Sequence, residues 1–65
     1  MFAGVAGSQA EVTVTSAGGE TDGAQIVIAQ DGVVLASENR FDAEDGAVFM
    51  VSTTSDSPVY VIIVA

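Results

Sequence analysis

The sequence predicts an all-β protein: a small antiparallel β-sandwich of immunoglobulin-like form, or a small barrel, with about five strands and an extended N-terminal arm. Three observations carry that expectation. Apolar residues recur with period two or in short β-branched runs. Asp-Gly and Gly-Gly steps punctuate those runs at short intervals. No stretch keeps the 3.6-residue period of an amphipathic helix, and Gly46 with the β-branched residues after it limits Asp42 to Val48 to one helical turn at most.

Residues 1–8 (Met1-Phe2-Ala3-Gly4-Val5-Ala6-Gly7-Ser8) have two apolar anchors, Phe2 and Val5, in a Gly- and Ala-rich frame without periodicity. They are expected to form a flexible arm, either a disordered terminus or one that becomes ordered by laying these anchors into a neighbouring subunit, while 9–65 forms a single β domain. The arm lacks the positive stretch of a signal peptide, so a chain made without export is expected. Gln9 to Thr15 alternates Ala10, Val12 and Val14 with Glu11, Thr13 and Thr15, as a half-buried strand does. Ser16 to Gly23 is turn chemistry throughout.

The clearest local signal is Ala24 to Gln30, then Asp31-Gly32, then Val33 to Ser37. Asp-Gly between two β-branched runs specifies a two-residue hairpin. Its register would set Gln30 against Val33, Ala29 against Val34, Ile28 against Leu35 and Val27 against Ala36. Both faces are then apolar, and a hairpin of that kind needs cover on its second side. Glu38 to Gly46 follows as an acidic connection with Phe41 as an apolar plug. Ala47 to Thr54 reads as a fourth strand and Val59 to Ala65 as a fifth, with the turn Ser55-Asp56-Ser57-Pro58 between them. The fifth carries no charge, which makes it an aggregation hazard if exposed, so a central or subunit-paired position is expected for it.

Composition narrows function by exclusion. The chain has nine acidic residues, one Arg, no Lys, no His and no Cys, for a net charge of −8. One Arg cannot displace the counterions of a nucleic-acid backbone, and an anionic membrane surface is disfavoured for the same reason. Without His or Cys, general acid–base and thiol chemistry lack their usual agents, so no enzyme activity is expected. A disulfide framework and a zinc site are equally excluded, and no cofactor is expected. Asp42, Glu44 and Asp45 form a weak cation candidate that fails the EF-hand pattern: counted from Asp42, Gly46 stands fifth and Thr53 twelfth, where Gly belongs at six and Glu at twelve. Arg40 reads as the counter-charge to Glu38 or Asp42, or as a bidentate contact to a partner carboxylate.

Size points to association. Surface scaling gives a folded area of about 3,800 Å² against about 9,400 Å² unfolded, with roughly 3,300 Å² of the difference apolar. At about 25 cal/mol per Å² this stabilises by on the order of 80 kcal/mol, and chain ordering costs about as much. A marginal monomer without disulfide or metal draws its remaining stability from other copies or another protein. The expected interface residues are Phe2, Val5, Arg40, Phe41, Tyr60, Val61 and Ile63.

In overall character the chain resembles the small capsid decoration (cement) proteins of tailed viruses. The resemblance rests on the apolar arm Met1 to Ser8, the two-sided hairpin Ala24 to Ser37 and the uncharged strand Val59 to Ala65, and it covers the whole chain without a specific motif. It implies a virion protein that reinforces a shell, acting as a homo-oligomer such as a trimer on a larger coat or shell protein. The alternatives are an extracellular filament subunit assembled by strand exchange and a small protein-binding adaptor module.

Overall fold

The computed structural model describes residues 1–16 and 20–64. Part of the expected Ser16–Gly23 turn (17–19) and the last residue of the expected fifth strand (65) therefore lie outside the described residues. The strands in chain order are β1 Ser8–Val14, β2 Gln25–Gln30, β3 Val33–Glu38, β4 Ala47–Thr53 and β5 Val59–Val64. Among the described residues there is no helix. β1 pairs antiparallel with β4, and a second antiparallel sheet runs β3-β2-β5. The two ladders stay separate while β3 lies against β4, which makes a sandwich rather than a closed barrel. With five strands, the chain shares the two-layer plan of an immunoglobulin constant domain without its seven strands.

The core lies between the layers. Ile28, Val51 and Val59 form its buried centre, with Ala10, Val12, Leu35, Ala36, Phe49 and Val61 packed around them. β1 behaves as its alternation demands: Ala10, Val12 and Val14 face inward, half-buried, while Gln9, Glu11 and Thr13 face water. β4 mirrors it, with Phe49, Val51 and Thr53 inward and Val48 and Met50 exposed.

The hairpin turn forms as its sequence specifies. Asp31 and Gly32 both adopt positive φ, 53° and 75°, the conformation of the turn whose twist matches the strands it joins. Gln30 pairs with Val33 and Ala29 with Val34, as expected. Beyond these pairs the expected register is corrected, because a β-bulge follows and sets Ile28 opposite Ala36, Val27 opposite Ser37 and Ile26 opposite Glu38. The cause is packing. With one extra residue in β3, both Leu35 and Ala36 turn toward Ile28 and the core. The outward position then passes from apolar Ala36 to exposed Ser37. A regular ladder would have kept Ala36 out and turned Ser37 in.

The segment 1–8 departs from the expected arm by bonding within its own chain. Phe2 and Val59 exchange both backbone hydrogen bonds, at 2.9 and 2.8 Å. The Gly7 amide donates to the Thr53 carbonyl at 2.9 Å, and the Ala6 amide donates to Oδ1 of Asp56 at 2.9 Å. Buried Thr53 donates its hydroxyl to the carbonyls of Val5 and Ser8. The segment is thus a strap that touches β5 of one sheet and β4 of the other. Its physical basis is the edge of β5, whose unpaired backbone groups at Val59 it satisfies, and the core, which takes the half-buried Phe2 ring.

The molecule is elongated, with extents of 33 × 18 × 15 Å and a radius of gyration of 11.9 Å, against about 10.7 Å for a compact chain of this length. Its accessible surface, 4147 Å², also exceeds the roughly 3,800 Å² that its mass predicts.

Candidate functional site

Four of the large apolar side chains left exposed, Val34, Tyr60, Ile62 and Val64, lie on the outer face of the β3-β2-β5 sheet. Directly opposed residues share a face, so the pairs Ala29–Tyr60, Val27–Ile62 and Ala29–Val34 place these side chains together on the side away from the core. Val34 is 59% exposed, Tyr60 50%, Ile62 46% and Val64 51%, with half-buried Val27 and Ala29 between them. Gln25 and Ser37 complete the face, and none of its strand residues is charged. At one end Ala29, Asp31, Gly32, Ser57, Pro58, Tyr60 and Ile62 line an open groove of about 440 Å³. Tyr60 supplies an apolar ring with a polar tip there, a combination suited to a protein contact.

β5 is the outer strand of this sheet, which excludes the central position expected for it. One side is paired to β2; on the other, among the described residues, only Val59 is bridged, to Phe2. Val59 directs its amide and carbonyl outward to Phe2. Because backbone polarity alternates along a strand, the amides and carbonyls of Val61 and Ile63 also point outward, while Tyr60, Ile62 and Val64 bond to β2.

The expected interface residues are scattered by the fold rather than gathered. Tyr60 stands on the outer face. Val61 and Ile63 project from the opposite side of β5, Val61 half-buried on the core and Ile63 exposed near the strand end. Val5 is exposed on the strap, and Phe2 turns into the chain's own core. Phe41 is a correction: it is 1% exposed and cannot reach a partner. Its amide donates to the Ala24 carbonyl at 2.8 Å, and its carbonyl accepts from Gly23 at 2.7 Å, which locks the plug between the sheet ends.

Arg40 is exposed beside a hollow of about 730 Å³ that Asp22, Asp42 and Glu44 also line. The carboxylates of Asp22 and Asp42 are engaged with backbone. Oδ1 of Asp42 accepts from the amides of Glu44 and Asp45 at 3.0 and 3.3 Å, and Oδ1 of Asp22 accepts from Ala43 at 3.1 Å. The Gly46 amide closes one helical turn on the Asp42 carbonyl at 2.8 Å. Among the described residues no three acidic side chains converge as metal ligands.

Sequence reasoning missed a polar knot behind the outer-face groove. Gln30, 1% exposed, donates through Nε2 to the carbonyls of Ser55 and Ser57 at 3.0 and 2.8 Å and accepts at Oε1 from the Thr54 amide at 3.1 Å. Gly4 of the strap passes so close that a Cβ would meet Gln30 Nε2 and the Ser55 and Ser57 carbonyls, all inside 3.0 Å. Next to it, the Ser55 hydroxyl donates to Asp31 at 2.7 Å. Hydrogen bonding from Ser55, then Ser57, holds the Asp31 carboxyl below its ordinary range. The available signal was Gln30 itself, an amide on the same strand face as Ile26 and Ile28. The knot fixes the β2–β3 turn, the β4–β5 loop and the strap to one another, and so sets the contour of the face.

No known protein family, curated protein or solved structure matches this chain.

Proposed function

We propose that this chain is a non-catalytic structural subunit of a larger assembly, a decoration or cement protein that docks the outer face of β3-β2-β5 on a coat or shell protein. The observation that carries the reading is the contiguous uncharged apolar face around Val34, Tyr60 and Ile62 on a chain of net charge −8. Monomeric proteins seldom leave such a face in water unless it contacts a partner. None of the strand residues of the face is acidic, while Asp31 lines the groove at its turn end, so the complementary surface is apolar at its centre and basic at that end. Reinforcement of a virion shell is the role this supports. A filament subunit completed by strand exchange is the second reading, favoured by the open edge of β5.

Velocity sedimentation of an extract of cells producing the assembled material tests the proposal. The chain is expected in fast-sedimenting fractions with a larger protein in fixed stoichiometry. Ile62→Glu, which charges the face without touching the core, is expected to release it to the light fraction. A wild-type chain found only in the light fraction, or an Ile62→Glu variant that stays with the particle, refutes the reading. A helical lattice instead of a closed shell in micrographs of the heavy fraction selects the filament.

A further inference from the structure

We infer that β5 also pairs, edge to edge and antiparallel, with β5 of a second copy about a two-fold axis through Ile63. The inference goes beyond the docking reading: it concerns the strand edge, not the outer face. Val61 and Ile63 turn their amides and carbonyls to the open side of β5, and only an extended strand offers donors and acceptors at that spacing. Native edges are usually guarded by charge, proline or a bulge. From Val59 to Val64 this edge has none of them.

Charge selects a second copy as the occupant. Most approaches between two chains of net charge −8 are repulsive, but β5 and the outer face beside it are neutral. The nearest acidic group level with the axis is Glu38, which pairs with Ile26 on β2 and lies two strands from β5. At about 4.8 Å per strand, the two Glu38 backbones would stand roughly 24 Å apart, beyond the screening length of about 8 Å. Asp56 lies at the far end of β5, removed from the axis along the strand.

The strap sets the register. Phe2 is bridged antiparallel to Val59, and continuing that direction sets Met1 level with Tyr60, so the edge is closed there and opens at Val61. Outward-pointing residues must pair with one another. Setting Ile62 against its symmetry mate would carry the partner's Val64 onto Met1. The deepest register that leaves the strap in place sets Ile63 against Ile63 of the partner copy and Ile62 against its Val64. The result is one six-stranded sheet, and the two outer apolar faces become continuous across it.

Because the chain has no cysteine, single-cysteine variants read this register directly. In the proposed pairing the two Cα atoms at 63 stand about 5.5 Å apart, within disulfide reach, whereas those at 62 stand about 8 Å apart, outside it. The full chain at tens of micromolar is expected to sediment as a reversible dimer. Under mild oxidation, Ile63→Cys is expected to cross-link at least several-fold more than Ile62→Cys. Ile63→Pro removes the outward amide and leaves the bonds to β2 intact, so it is expected to weaken dimerisation about thirtyfold, two hydrogen bonds being lost per dimer. If that variant misfolds, the cysteine pair still decides. A monomer up to about 100 μM, a regime of weak association, together with no Ile63→Cys cross-link, overturns the inference; so does equal or greater cross-linking at 62. A chain that rides a large particle yet fails these tests keeps the docking reading and loses the edge pairing.

Discussion

Replacing Gln30 with Leu tests the polar knot. The substitution nearly conserves volume but abolishes three hydrogen bonds, to Ser55, Ser57 and Thr54. Each is worth about 1 kcal/mol, and a partner left without water costs more. Against a loss of about 3 kcal/mol stands the gain from an apolar side chain at a position 1% exposed, about 1 kcal/mol. Water reaching the exposed flanks of the loop limits what its freed carbonyls cost, so the net is about 2 kcal/mol. For a domain of this size that lowers Tm by roughly 8–16 °C. Thermal unfolding followed by circular dichroism measures it, with Gln25→Leu, at an exposed end of the same strand, as the control expected within about 0.5 kcal/mol. Gln30→Glu keeps the shape and turns a carboxylate toward two carbonyls, and it is expected to be at least as damaging as Leu. A Gln30→Leu variant as stable as wild type would refute the account of the knot.

Three further outcomes follow from particular contacts. Gly4→Ala drives a Cβ into Gln30 and two carbonyls, so exchange protection of the Phe2 and Val59 amides is expected to collapse. Gly7→Ala, at φ 75° with open space around it, is expected to cost only the backbone strain of about 1 kcal/mol and to keep that protection. Asp31 titrates below its ordinary value of 3.8 because Ser55, then Ser57, hydrogen-bond its carboxylate. A lowered folded pKa means that its contribution is complete above the unfolded value and is lost as pH falls through the folded one; Ser55→Ala is expected to move the midpoint, read by carboxyl chemical shift, back toward 3.8. Phe41→Ala empties a fully buried site and is expected to cost about 3–5 kcal/mol, enough to unfold the chain by circular dichroism, whereas Tyr60→Ala on the outer face is expected to keep the fold and lose attachment.

The strands were legible because their signals are local. Alternation marked β1, and the Asp31-Gly32 step fixed a turn and the two pairs beside it. The bulge was not legible, since it answers to the space around Ile28, where Leu35 and Ala36 both find room only because β4 and β5 leave it there. The same limit explains the strap. Phe2 and Val5 read as anchors for another subunit, but Phe2 meets Val59, and nothing local announces a partner so distant in sequence. Phe41 reads both as a plug and as an interface residue, because an aromatic residue in an acidic loop looks the same whichever way it turns. Of the expected interface residues, only Tyr60 stands on the outer face, where Val34 and Ile62 join it through the ladder pairing.

The strap also fixes the order in which the protein can be completed. Its partners, Thr53, Asp56 and Val59, are made about fifty residues after it, and β2 waits for β5 over about thirty to forty. Only the β2–β3 hairpin can close early. Until the last strand emerges, that hairpin carries Ile26, Ile28 and Leu35 without cover. Long-range closure of this kind places folding in the slow, millisecond-to-second range, and an uncovered apolar hairpin is prone to misassociation meanwhile. A chaperone or the growing assembly itself would find its moment of action there, before the first residues made and the last ones meet.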